Sequence, residues 1–330
     1  MFLKKNQSIK VFILIFLSSF ILISLYSKVN LNQLSFAITK SNKFFIILGI
    51  LMNIFLGILS GIKYSIFSKY LKINPYPGIK TSIKSYFIAG SFNIILPSKL
   101  ADFGRADICS RIDDENYKRE LYLFSLYEKV NDLFSLLIIT ISCFFLLKNF
   151  YTCEKITINC LPILDNNKIF LTLIALSILL FFIIFPKKFS APFKNSEKPL
   201  LISIEEFVRF SSIFKFKKFL IYQFASGMFW AVNLLQIIIF AKAIDIDLLS
   251  IGGVLVITLT ILSGLLPISF AGIGAREFAL TFLISSFFGN IKPLLLGSLM
   301  TTRYIVPAII GLFYLKDLSL LKKIIKNQKI

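Results

Sequence analysis

The chain has no histidine among its 330 residues. That absence removes an imidazole general base, a Ser-His-Asp triad, a haem histidine ligand and a His-metal site. Four cysteines, at 109, 143, 153 and 160, form no CxxC pair, so a zinc or iron–sulfur centre is not expected. No GxxxxGK[ST] stretch occurs, so no P-loop nucleotide fuels the chain. No cofactor and no metal are therefore expected. Acid is scarce, with 17 Asp and Glu against 37 Lys and Arg and a formal charge of +20. In a soluble protein that imbalance would point to nucleic acid. Here the basic residues flank apolar runs, which sets them beside lipid headgroups, and no nucleic-acid partner is expected.

What is abundant is apolar sequence, at 56% of residues with 37 Phe. It comes in blocks without charge, among them Val11–Ser27, Phe44–Ile62, Ile169–Pro186, Phe219–Ala241 and Leu248–Ala275. A spanning helix needs about 20 such residues, and the runs are too long and too little alternating for a transmembrane barrel. The sequence therefore predicts an all-α polytopic membrane protein, 1–330 as a single integral-membrane domain. Helices are expected near 9–27, 44–62, 121–147, 169–185, 219–243 and 293–315. Shorter apolar pieces lie at 83–97, 250–268 and 277–289. The first run follows Lys4, Lys5 and Lys10 but ends Leu25-Tyr26-Ser27-Lys28 without an A-x-A-like site, so it reads as a retained helix. A first half of about 1–185 and a second of about 219–330 flank a basic connector, 186–218, with an amphipathic helix near Ile202–Phe214.

Charge fixes the topology. If 83–97 turns back rather than crossing, 26 basic residues fall on cytoplasmic segments and 7 outside. If it crosses, the eight Lys and Arg of 186–218 lie outside, against the positive-inside rule. The second half then needs 250–289 to start and end outside. The expectation is about six to eight transmembrane helices plus two re-entrant or broken-helix hairpins related as an inverted repeat. Both termini would be cytoplasmic in a multi-pass inner-membrane protein.

Two stretches 170 residues apart share the pattern L-P-x-x-[LF]-A-x-[FI]-G, from Leu96-Pro97 to Gly104 and from Leu266-Pro267 to Gly274. Arg105 and Arg276 follow them closely. Pro97 and Pro267 end an apolar arm, whereas Gly104, Gly272 and Gly274 let the backbone turn into a new helix. Irregular backbone at membrane depth is tolerated where it is buried in protein or lines a wet cavity. Free N–H groups at the new helix, with an arginine fork, suit a phosphate; a plain packing kink is the alternative. Intramembrane charge adds Glu128, Lys129 and Asp132 on one helix, Glu277 beside Arg276, and Arg303 within 293–315. Such charges mark a functional cavity or interhelical salt bridges. Arg303 is expected to pair with Glu128, Asp132 or Glu277. Asn53, Gln223, Asn233 and Gln236 read as interhelical hydrogen-bond partners, Trp230 as packing, Lys242 as snorkelling, and Cys153 with Cys160 as a candidate disulfide.

The stretch Leu266 to Glu277 resembles the P-x-S-x-G-G-x-G-x-R-E signature of the lysylphosphatidylglycerol synthase transmembrane-region family, also called the flippase-like domain. Ala271 stands where the first glycine of the usual pair is found. Asn93 to Arg105 is similar to the family's N-x-x-L-P-x-x-x-G-[DE]-x-x-R stretch, with Ala101-Asp102 replacing Gly-Glu. Tyr127 to Asp132 resembles an E-R-x-x-D segment with Lys129 for Arg, and Arg303 and Gly311 match a late R…G pattern. The resemblance implies an inner-membrane domain that, in bifunctional members, moves aminoacylated phosphatidylglycerol between leaflets ahead of a soluble aminoacyltransferase. This chain ends at Ile330, so it is expected to stand alone and not to synthesise the lipid.

The expected function is a lipid translocase for a phosphate-bearing lipid, an aminoacyl- or glycolipid included. Arg105, Glu128, Asp132, Arg276, Glu277 and Arg303 are the candidate substrate-binding residues, with no catalytic residue assigned. Membrane lipids are the expected partners, with a lipid-modifying enzyme or glycosyltransferase as a protein partner. The alternatives are a membrane-embedded transferase on polyprenyl-phosphate carriers, using Asp102 or Asp107 as base, or a non-catalytic partner of a glycosyltransferase.

Overall fold

The computed structural model describes residues 16, 18–27, 31–94, 97–115, 117, 119–150, 167–184, 210, 216–265, 269 and 272–318. Helices in chain order are α1 (18–26), α2 (Leu31–Lys40), α3 (Lys43–Tyr70), α4 (Ile79–Asn93), α5 (Arg105–Asp113) and α6 (Arg119–Phe150). They continue with α7 (Asn167–Ile184), α8 (Phe216–Ala243), α9 (Ile251–Leu265), α10 (Ala275–Phe288) and α11 (Ile291–Tyr314). A 3₁₀ stretch, Pro97–Gly104, leads into α5. Among the described residues there is no strand. Four helices, α3, α6, α8 and α11, are long and apolar enough to cross a membrane, and α7 and α9 hold shorter apolar segments. The chain is an all-helical polytopic membrane protein.

The long helices form because apolar sequence in hydrocarbon must satisfy its backbone internally. Their packing uses small residues. The buried face of α3 carries Gly49, Asn53, Gly57, Ser60, Gly61 and Ser65. At Gly61 an added Cβ would lie 2.6 Å from the Ile83 Cα, so α3 and α4 touch at backbone distance. At Gly311 it would lie 2.0 Å from the Phe87 carbonyl oxygen, which fixes α4 against α11 in the same way. Close approach of this kind is the usual basis of helix association in lipid.

The ends of the helices establish the topology. Asn42 caps α3, accepting from the Phe44 N–H at 3.0 Å, and its own N–H donates to the Ala243 carbonyl at the end of α8. Start of α3 and finish of α8 therefore share one end of the bundle. At the other end Phe67 packs edge-on against Tyr222, and Lys218 sits over the Tyr70 ring. The chain enters α4 from this second end, where Ser65 donates to the Pro77 carbonyl. It enters α9 from the first, where Ile246 and Leu248 follow directly on the end of α8 and belong to the same core cluster as Phe144 and Leu147. The two hairpins, α4–α5 and α9–α10, thus enter from opposite ends. Each opens on a 15-residue arm, about 22 Å of helix and shorter than a hydrocarbon core of about 30 Å. α4 packs on α11 and α9 on α6, while α3 and α8 pack on each other. This is the inverted pairing expected from the two motifs.

Three sequence expectations need correction, and one helix, α2, falls between two of the expected spans. The stretch 98–120, read as a cytoplasmic polar segment, is largely the return arm of the first hairpin, with Asp102, Arg105, Ile108 and Cys109 buried. Lys63 and Arg105, both counted among cytoplasmic charges, lie inside the bundle at 7% and 0% exposure. Gly104 has φ −85° and open space around it, so that turn needs no glycine. The start of the first helix, the connector helix at 202–214, Cys153 with Cys160, Pro267 and the tail beyond 318 lie outside the described residues.

Candidate functional site

The helices line a partly open cavity of about 390 Å³ between the two hairpins. That volume suits a small ligand or a lipid headgroup. Both hairpins contribute: Asp102 and Phe103 from the first turn, Leu265 and Arg276 from the second. The long helices add Lys129 and Asp132 (α6), Phe229 and Trp230 (α8), and Arg303 and Tyr304 (α11).

The first turn is held by a polar tie. Asn93 donates to Asp102 at 2.8 Å and accepts the Ala101 N–H at 3.1 Å. Asp102 in turn pairs with Lys129 at 3.0 Å. The 3₁₀ geometry after Pro97 follows, because proline cannot continue the α4 ladder and the Asp102 tie draws the chain inward. The second turn uses backbone freedom instead. Gly272 and Gly274 have φ of +73° and +90°, a region that side chains with a Cβ avoid. Glu277 then caps α10, accepting the Gly274 N–H at 2.6 Å. A carboxylate of the chain itself therefore takes the helix N-terminus that sequence reasoning held open for a phosphate.

Behind the cavity runs an ion network. Arg105 donates to Glu128 at 3.0 Å and to the Ser82 carbonyl at 3.2 Å, and its guanidinium stacks over Tyr64 at 4.2 Å. Lys63 pairs with Asp132 at 2.7 Å and lies 3.7 Å from Glu128. Paired charges of this kind are what a low-dielectric interior requires. Arg105, Glu128 and Glu277, all candidate headgroup ligands by sequence, are not among the lining side chains. The first two lock α3, α4, α5 and α6 together, and the third caps a helix beside Gly297 and Thr301.

Asp132, Arg276 and Arg303 do line the cavity. Arg276 donates Nε–H to the Gly272 carbonyl at 3.1 Å and lies over Tyr304 at 4.7 Å. Arg303 does not pair with an acid among the described residues. Its Nη2 donates to the Asn233 side-chain oxygen. The expected acidic partner is thereby corrected, because Lys63 and Arg105 already occupy Glu128 and Asp132. Asn53, Gln223 and Gln236 do make interhelical bonds, to Thr302, Ser135 and Gly49. Trp230 does more than pack: its indole N–H donates to the Asp132 carbonyl at the cavity wall. Asp107, the second candidate base, is half exposed and pairs with Arg111 at 2.9 Å away from the cavity. Sequence reasoning missed Lys63. The signal was present, since Ser60, Lys63 and Tyr64 follow a glycine-rich face of α3 at helical spacing.

The family model described as "Lysylphosphatidylglycerol synthase TM region" matches residues 8–313. No curated protein and no solved structure matches the chain.

Proposed function

The chain belongs to the lysylphosphatidylglycerol synthase transmembrane-region family, and from that premise we propose that it is a lipid translocase, moving a phosphate-bearing lipid between leaflets. The observation that carries this reading is the cavity lined by both hairpins, which enter from opposite ends of the bundle. A charged headgroup in hydrocarbon costs several kcal/mol, of order 3 or more. A cavity with charged side chains in its wall lowers that barrier while the acyl chains stay in lipid. Arg303, held by the neutral Asn233, supplies positive charge to a phosphate there, and Arg276 lies in the same wall. Arginine suits this task through its planar fork. The transferase alternative is less well supported, because Asp102 is held by Lys129 and Asn93 and Asp107 lies outside the cavity.

The basic end of the bundle faces the cytoplasm in this reading. Lys69, Lys72, Lys80, Lys84, Lys217 and Lys218 gather there, the distribution that cytoplasmic loops prefer. The test is a leaflet-resolved assay in proteoliposomes carrying headgroup-labelled phosphatidylglycerol. The full chain should speed loss of inner-leaflet protection from an impermeant reagent added outside, and Arg303→Ala should return the rate to that of protein-free vesicles. Equal rates with and without the wild-type chain would end the translocase reading.

A further inference from the structure

The three acidic residues among the candidate substrate-binding residues, Asp132, Glu128 and Glu277, share a property that bears on substrate choice. Each is already engaged by the chain. Lys63 engages two of them at once. Its ammonium lies 2.7 Å from Asp132, 3.4 Å from the Ser226 hydroxyl and 3.7 Å from Glu128. It also sits over the rings of Phe229 at 5.1 Å and Tyr222 at 5.4 Å. Carboxylates on one side and aromatic faces on the other are the chemistry that recognises an alkylammonium. Asp132 and Phe229 line the cavity, so this cage opens onto the space where a headgroup would sit.

We infer that Lys63 fills the ammonium half of the headgroup site from within, so that the cavity selects a phosphate-bearing lipid whose headgroup carries no amine. The inference rests on the translocase reading and names its substrate class. A lysyl or other aminoacyl headgroup would have to displace Lys63, which is 7% exposed and already reaches both Asp132 and Glu128. The remaining acids are taken: Asp102 by Lys129, Glu128 by Arg105, and Glu277 by the Gly274 N–H. A tethered ammonium competes at an effective concentration of about millimolar or more, so a free one loses. The cavity side of the site offers the opposite sign, through Arg303 with its neutral partner. Hydroxyl-bearing headgroups meet no such obstacle, because Ser60, Asn93, Tyr86 and Tyr304 line the same wall.

The chain contains one tryptophan, Trp230, and it lies in the cavity wall. Its fluorescence therefore reports occupancy. The full chain in neutral detergent is titrated with phosphatidylglycerol and, separately, with lysylphosphatidylglycerol. The wild type should bind the first at least about tenfold more tightly than the second. Lys63→Met empties the cage and should cut that preference to about threefold or reverse it. For Lys63→Ala, butylammonium should raise the unfolding temperature, while the wild type shows no response. This arm needs no lipid and holds even where the variant is poorly stable. Equal or tighter binding of the lysyl lipid by the wild type overturns the inference, as does an unchanged preference in Lys63→Met or no saturable binding of either lipid. Movement of lysylphosphatidylglycerol in the vesicle assay in preference to phosphatidylglycerol sinks the inference and leaves translocation standing. The predicted preference without any leaflet movement sinks translocation and leaves the filled cage standing.

Discussion

Arg105 has no exposed surface, donates to Glu128 at 3.0 Å and stacks over Tyr64 at 4.2 Å. Removing one member of a buried pair leaves an uncompensated charge and costs about 3–5 kcal/mol. Arg105→Ala should therefore lower the unfolding temperature and the folded yield sharply, with any loss of transport secondary to that. Arg105→Lys keeps the charge but loses the fork that reaches both Glu128 and the Ser82 carbonyl, and should fall between. Arg303 behaves differently. Its partner is the Asn233 amide, so Arg303→Ala leaves one neutral acceptor unpaired, a cost of about 1–3 kcal/mol at most. That variant should stay folded by size-exclusion profile and thermal unfolding while headgroup binding and transport are lost. If Arg303→Ala unfolds as readily as Arg105→Ala, Arg303 belongs to the structural network and the phosphate contact must be sought elsewhere in the wall.

At the level of elements, the two hairpins solve one geometric problem with different chemistry. The second needs its glycines. At Gly272 φ is +73° and an added Cβ would lie 2.6 Å from the Gly264 carbonyl oxygen. Gly272→Val should destroy the turn, seen as loss of folded protein and of transport. The first turn relies on Asn93, Asp102 and Lys129, and Gly104 has nothing within 4 Å of an added Cβ. Gly104→Ala should cost about 1 kcal/mol or less and keep transport near wild type. Loss of function in Gly104→Ala would mean that the first turn moves through a state the structure does not record. The same contrast explains what the sequence made legible. Long apolar runs give α3, α6, α8 and α11 directly, because hydrocarbon forces uncharged sequence into helices. The matched Pro and Gly motifs mark where the two hairpins fall, because proline and glycine are poor at continuing a helix. Partner choice was not legible. Glu128 and Asp132 share a face of α6 at i,i+4 spacing, but which cation meets them depends on where α3 packs. Lys63 falls just past an uncharged run, where a sequence reader places a headgroup contact. The tertiary fold carries it inward by way of the glycines at 57 and 61, which bring α3 close to α4.

For the whole molecule, orientation follows from charge at the two ends. One end carries Lys69, Lys72, Lys80, Lys84, Arg119, Lys217, Lys218 and Lys316, close to where α3 ends and α4, α6 and α8 begin. The opposite end, where α3 begins and α8 ends, carries Lys40, Lys43, Lys148, Lys242 and Lys292. Lys242 and Lys292 there are engaged locally, over the Phe45 ring and with the Asp245 carbonyl. Lys and Arg near membrane ends are retained on the cytoplasmic side, so the end where α3 finishes and α4 begins should be internal. The same assignment sets the first hairpin to open toward the cytoplasm and the second toward the outside, which is what passing a headgroup through one shared cavity requires. A cysteine-free background with single substitutions tests both statements together. Leu249→Cys lies between α8 and α9 at 76% exposure and should react with an impermeant maleimide added to intact cells. Lys80→Cys lies at the start of α4 and should react only after the membrane is opened. Reaction of Lys80→Cys in intact cells, with protection of Leu249→Cys, would invert the orientation while keeping the hairpins opposed. Reaction of both from outside would be incompatible with hairpins entering from opposite faces, and the shared-cavity route for the lipid would fall with it.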